Sequence, residues 1–174
     1  LRHFRQDFNQ LLQTKKLLEY NVIAVDSLTS LAKAAMDEIL FINGRLGHQP
    51  ALDDWAAQVT VVENIVRKLT SVPVTLFVTA HDVMQKDELT SFISNELVLT
   101  GQLKTRIPIL FSDILRCESV SSVDGDKFRV QTRPDSRNPR ARRSLSSLGF
   151  YEDVTIKDWT KPTDFGLSAL IKRS

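Results

Sequence analysis

Hydrophobic and polar positions along the chain follow two periods in turn. Phe4, Phe8, Leu11, Leu12 and Leu18 recur at helical spacing and predict an amphipathic helix over residues 4–19. Tyr20 and Asn21 break it. The apolar run Val22-Ile23-Ala24-Val25 leads straight into Asp26 and Ser27. A continuous run with β-branched residues suits a short strand buried on both faces. Ser27 offers a helix start, and Leu28, Leu31, Ala32, Ala35, Met36, Ile39 and Leu40 then recur at helical spacing. Residues 43–50 hold two glycines and a proline and read as a loop. A third helix follows, capped by Asp53 or Asp54, with Trp55, Val59, Val62, Ile65, Val66 and Leu69 on its apolar side. Residues 74–80 give a second strand, which ends at His81 and Asp82.

The later pattern is weaker. Residues 83–100 read as a long loop with a short helix near 88–97, and 103–111 as helical despite Pro108. Apolar runs over 113–120 and 127–132 flank Asp124-Gly125, a strong hairpin signal. Residues 128–133 alternate as an edge strand does. Residues 149–174 carry Phe150, Tyr151, Trp159 and Phe165 without a clear period and read as a tail that wraps the domain or a partner.

Two strands separated by helix, each ending in a polar cluster, predict a parallel α/β sheet. Both C-terminal ends then point the same way, and Asp26 and His81 share the edge where open α/β sheets place their ligands. Asp26 at that edge serves either as a cation ligand or as an N-cap closing the turn. His81 either meets a ligand or is a surface or capping residue.

Composition narrows the class. With 42% hydrophobic and 25% charged residues, the 174-residue chain is ordinary for a globular protein with one real core. No apolar run approaches the roughly 18 residues of a membrane span, and no secretory signal pattern is present. One cysteine, Cys117, excludes an internal disulfide and a cysteine zinc cluster, which fits a reducing cytoplasm. Its place inside an apparent strand marks it as a small buried hydrophobe. The net charge of +2 hides a concentration. Residues 126–143 hold seven basic side chains against two acids, so the rest of the chain is net acidic. A polyanion near that segment is the expectation, beside the plainer reading of a solvated basic loop.

Val25-Asp26-Ser27-Leu28-Thr29-Ser30-Leu31 after a buried strand resembles the Walker B segment of RecA-type P-loop ATPases. A helix ending in Arg67-Lys68-Leu69 leads to the strand ending at His81, which resembles the strand bearing that family's γ-phosphate sensor. A long loop closing at Gly101 and a basic hairpin follow in the family's order. The resemblance spans about residues 4–143 and is nearest to phage-encoded RecA-core nucleotide-binding (AAA-domain) proteins, some of which assist single-strand annealing. It implies an α/β fold: a three-layer RecA-like core over residues 1–148, with a mainly parallel sheet and a C-terminal β-hairpin, followed by a tail over 149–174. It also implies ATP and Mg²⁺ as cofactors, a homo-oligomer with ATP between subunits, single-stranded DNA as partner and no membrane. The location would be cytoplasmic, in the bacterial host if the protein is phage-encoded.

By the same resemblance, Asp26 holds Mg²⁺ through a coordinated water, with Ser27 or Thr29 supporting that shell. His81 contacts the γ-phosphate or the attacking water. Arg133 and Arg137 act as arginine fingers toward a neighbouring subunit, a role worth roughly 10³ to 10⁵ in rate elsewhere. Arg140, Arg142 and Arg143 contact the nucleic-acid backbone, with Lys86, Lys104 and Arg106 as weaker candidates. Arg45 and His48 occupy the place of the first DNA loop. Two departures count against activity of this chain alone. It has no G-x-x-x-x-G-K-[ST] phosphate loop, and no strand glutamate before Asp26 to activate water. Both are expected upstream of Leu1, if the chain is the C-terminal portion of a longer ATPase rather than a degenerate relative. The alternatives are a non-catalytic P-loop-like assembly or scaffold module and a DNA-packaging or helicase-type motor subunit. Asp164-Phe165-Gly166 spells a kinase triplet without the other kinase signatures, and residues 124–126 lack the rest of a calcium loop.

Overall fold

A computed structural model describes residues 1–123 and 125–172. The chain divides into two compact units, one of Leu1–Met84 with Glu96–Leu110 and one of Gln85–Asn95 with Phe111–Ser174.

The first unit is largely helical. Helix α1 (Arg2–Gln13) buries Phe8, whose ring stacks on Phe4 with centroids 5.9 Å apart. It stops earlier than its periodicity predicts. Lys15 adopts a left-handed φ of 56°, and a short 3-10 turn, Lys16–Glu19, carries the chain to β1 (Val22–Val25). Helix α2 (Leu28–Ile42) buries all seven apolar residues of the predicted stripe. It packs against α3 (Leu52–Thr70), which buries Val62, Ile65, Val66 and Leu69. Gln58 joins the two helices from inside the core: its Nε2 donates to the Ala32 carbonyl at 2.7 Å, and its Oε1 accepts from Thr100 Oγ1 at 2.6 Å. Strand β2 (Thr75–Val78) pairs in parallel with β1, Val22 opposite Thr75 and Val25 opposite Val78. Helix α4 (Leu103–Arg106) and a 3-10 turn, Pro108–Leu110, bury Leu103 and Ile107; the helix ends before Pro108, as a proline in its interior would require.

The three-layer RecA-like core with a mainly parallel sheet is not what forms. The parallel sheet has two strands, and the other sheets are antiparallel. β1 is not buried on both faces: Ile23 and Val25 are half-buried, while Val22 and Ala24 are exposed. The helix foreseen near 88–97 is also absent. β3 (Asp82–Lys86) and β4 (Ile93–Leu97) pair there as a hairpin. Its turn is fixed by Asp87, whose Oδ1 accepts the Leu89 and Thr90 backbone N–H groups at 2.9 and 2.8 Å. A side chain that bonds the backbone two and three residues on favours a turn over a helix.

The second unit is built on a three-stranded antiparallel sheet. β5 (Arg116–Val120) pairs with β6 (Lys127–Gln131), and β6 with β7 (Tyr151–Asp153). The hairpin read from Asp124-Gly125 is therefore present, although Asp124 itself lies outside the described residues. Segment 149–174 adds β7 to that sheet and helix α5 (Gly166–Ile171) to its core. Val130, Leu148 and Leu170 form that core, with Leu115, Leu145, Val154 and Leu167 around them. Cys117 is exposed rather than buried, although it lies opposite Val130 in the register, so its place inside a strand did not decide its burial.

Candidate functional site: the parallel strand ends

The parallel register carries both strands to the same edge, one residue past Val25 and Val78. Asp26 and Thr79 leave side by side. Thr79 N donates to the Val25 carbonyl at 3.0 Å, and Leu28 N to the Thr79 carbonyl at 2.8 Å, so two further backbone bonds extend the ladder. Across it, Thr79 Oγ1 donates to Asp26 Oδ1 at 2.5 Å. Hydroxyl bonds to an ionised acceptor are short, and this one fixes the orientation of the carboxylate. Asp26 is exposed, and the Asp26-Ser27 peptide is cis.

Asp26 is not the cap of α2. That place belongs to Ser27, which is buried and whose Oγ accepts from Ser30 N at 3.2 Å. Thr29, in the first turn, accepts the His81 backbone N–H at 3.1 Å. The edge thus gathers Asp26, Ser27, Thr29, Thr79 and the His81 backbone. The His81 side chain is exposed and makes none of these bonds. Thr79 is the residue that sequence reasoning passed over. Its signal in the sequence is its place as the first hydroxyl after the apolar run 76–78, two residues before the titratable His81.

Arg45 has a structural occupation. Its Nη2 lies 2.6 Å from Oδ1 of Asp54, which is wholly buried. The same oxygen accepts from Asn43 Nδ2 at 2.8 Å, and Oδ2 accepts from Ala51 N at 2.8 Å. The Ala51 N–H, then the Asn43 amide and Arg45, hold the Asp54 carboxyl below the usual carboxylate range against the opposing effect of burial. This cluster ties the 43–50 loop to the start of α3.

Of the other basic candidates, Lys104 and Arg106 lie in the first unit, where Arg106 Nη1 donates to Glu63 Oε2 at 3.2 Å, and the rest belong to the second. Lys86, Arg133 and Arg137 are exposed. Arg137 has a fixed backbone: its N–H and that of Asn138 donate to Asp135 Oδ1 at 3.0 and 2.6 Å, and its carbonyl accepts from Asn95 N at 2.7 Å. Burial tends to raise the Asp135 carboxyl, but the Asn138 N–H and further bonds from Gln131, Arg137 and Asn138 bring it below its ordinary value. Arg140 is half-buried. Arg142 donates to the Phe111 carbonyl and Arg143 to the Gly149 carbonyl at 3.3 Å. Their guanidinium groups therefore hold loops of their own unit together. Among the described residues no group of three or more His, Cys, Asp or Glu side chains could hold a metal ion. No described helix is long and apolar enough to cross a membrane.

Comparison with protein-family models, with curated proteins and with solved structures finds no match to this chain.

Proposed function

We propose that this chain carries the metal-side half of an ATP site in a phage-type protein that acts on single-stranded DNA in recombination, annealing or replication. The observation behind the reading is the pair at the strand ends. An exposed carboxylate at the end of one parallel strand is oriented by the hydroxyl of the next, 2.5 Å away. Mg²⁺ binds through one or two carboxylates, keeps several waters and takes the rest of its shell from substrate phosphates. Asp26 with one oxygen bonded to Thr79 suits that role when ATP brings the metal, and a lone carboxylate suits free Mg²⁺ poorly. Bound there, the metal would neutralise charge on the phosphates. Asp26 would hold it through water, Thr79 would keep the carboxylate aimed, and His81 would meet the terminal phosphate. The phosphate-cradling half is not among these 174 residues, so the complete site needs further chain. Arg133 and Arg137, exposed in the second unit, are the groups to reach an ATP bound by a neighbouring copy in a homo-oligomer, in the cytoplasm of a bacterial host.

The test is titration of the chain with ATP by calorimetry, with and without Mg²⁺. Weak, Mg²⁺-dependent binding should be lost in Asp26→Ala and reduced in Thr79→Val, with unchanged circular dichroism. Equal binding by the wild-type chain and both variants would overturn the assignment. A second reading, a non-catalytic assembly module, is favoured by one observation. Arg142 and Arg143 are bonded to carbonyls of their own unit, which makes them scaffold rather than contact residues.

A further inference from the structure

Helices α1 and α3 leave between them a cleft of about 380 Å³ that shares no residue with the strand-end group. Its apolar floor includes Phe8 and Ile65, both of which are largely buried. Its cations come from both helices: Arg5 from α1, Arg67 and Lys68 from the last turn of α3. Lys68 Nζ donates to Asn9 Oδ1 at 3.3 Å, so the two helices already meet across the cleft. Two protons of that ammonium remain for a ligand. Arg67 directs Nε and Nη2 at Glu63 Oε1, at 2.9 and 2.7 Å. That pair holds the guanidinium in place and leaves Nη1 for another acceptor. Arg5 has only a long contact with Glu38, 4.0 Å, and its side chain is about half exposed.

Basic side chains in the last turn of a helix complement the helix dipole, and that alone would account for Arg67 and Lys68. It does not account for Arg5, which enters from the second helix in that helix's first turn, where the dipole disfavours a cation. Three cations from two elements above an apolar floor are a charge arrangement without an internal counterpart of equal size. The volume is at the small end of the range for small-molecule sites, which combine an apolar lining with a few placed polar groups. We propose that this cleft binds a phosphate monoester with a flat apolar body. The doubly charged phosphate faces Arg5, Lys68 and Arg67 Nη1, where charge-assisted bonds are strongest. The flat body lies toward Phe8 and Ile65.

The experiment is an amide-resolved NMR titration of the whole chain with phenyl phosphate, in EDTA so that no metal occupies the strand ends. Parallel titrations use inorganic phosphate and benzyl alcohol. Saturable shifts at Asn9, Lys68 and Asn64, which also lines the cleft, are expected with phenyl phosphate, weaker ones with inorganic phosphate, and none with benzyl alcohol. Arg5→Gln and Lys68→Gln, both exposed positions, should each weaken phenyl phosphate about tenfold while the rest of the spectrum is preserved. Shifts scattered outside the cleft, or equal affinity in wild type and in both variants, would overturn the site. Equal binding of inorganic and phenyl phosphate would overturn the flat body, and equal binding of benzyl alcohol the phosphate. Because Asp26 takes no part, Asp26→Ala should bind phenyl phosphate as the wild type does, whatever becomes of ATP.

Discussion

Replacing Gln58 by methionine isolates the polar tie in the core of the first unit. The side chain is only 2% exposed and makes two hydrogen bonds, to the Ala32 carbonyl and from the Thr100 hydroxyl. Methionine keeps nearly the same length and flexibility, so packing changes little and both bonds are lost. Each bond contributes about 0.5 to 1.5 kcal/mol net. Two facts limit the loss. The Ala32 carbonyl lies inside α2, whose own ladder supplies it an N–H, and Thr100 is half-buried and can turn to water. The expected destabilisation is therefore about 1 to 2 kcal/mol. Gln58→Ala adds the loss of buried side-chain volume and should cost about 2 to 4 kcal/mol. Urea unfolding gives the readout. Trp55 on α3 reports the first unit once Trp159, in the second, is changed to phenylalanine. With a slope of roughly 1.5 kcal/mol per molar urea, Gln58→Met should lower the midpoint by about 1 M. A midpoint unchanged to within about 0.2 M would show that the two bonds contribute nothing net, and the amide would then be replaceable filling rather than the tie between α2 and α3.

Leu148→Ala should destabilise the second unit by about 2 to 5 kcal/mol, because the leucine is buried against Val130 and Leu170; Trp159 fluorescence during urea unfolding measures it. Asp54 has a folded pKa below its unfolded value of about 3.9, so its contribution is full above that value and is lost as the pH falls through the depressed one. The wild-type urea midpoint should therefore drop more than that of Asp54→Asn between pH 5 and pH 3, and parallel curves would refute the linkage. Arg133→Ala and Arg137→Ala, at exposed positions, should leave stability within about 0.5 kcal/mol. Arg143→Ala should instead lower the unfolding midpoint, since its bond to the Gly149 carbonyl is internal.

Helices α2 and α3 were legible because their signals are dense and local. All seven stripe residues of α2 are buried, and the caps around Ser27 and Asp54 come from side chains within three residues of the backbone they serve. The pairing of β1 with β2 and the β5–β6 hairpin were legible, but the extent of the parallel sheet was not, for a physical reason. A run such as Val22–Val25 says that a strand forms, but the number of its neighbours is set by segments remote in sequence. Among the described residues only β2 pairs in parallel with β1, so two parallel strands do not imply a mainly parallel sheet. In residues 82–97 the apolar pairs Val83-Met84 and Phe92-Ile93 straddle a turn set by one aspartate, so the weak pattern that suggests a long loop with a short helix near 88–97 belongs to a hairpin. The segment after 148 had no period to read because its strand is three residues long and its register comes from β6.

The same contrast applies to charge. Sequence counts cations, whereas geometry decides which of them can be offered to a ligand. Arg45 stood in a glycine-rich loop and looked available, yet it lies 2.6 Å from a carboxylate that is fully buried and needs a counter-charge. Arg142 and Arg143 headed the most basic stretch, yet both close loops onto carbonyls. Arg5, which no motif marked, is held only by a contact 4.0 Å long. Removing one partner of a buried pair leaves the other uncompensated, so a charged side chain already bonded to a buried group is a poor choice for a reversible contact. By that criterion Arg5 and Lys68 in the first unit, with the free Nη1 of Arg67, and Lys86, Arg133 and Arg137 in the second are among the groups that can exchange water for an external phosphate. The metal proposed at Asp26 meets the corresponding condition: the carboxylate is exposed, with one oxygen bonded to Thr79, so a cation there would displace no contact of the fold.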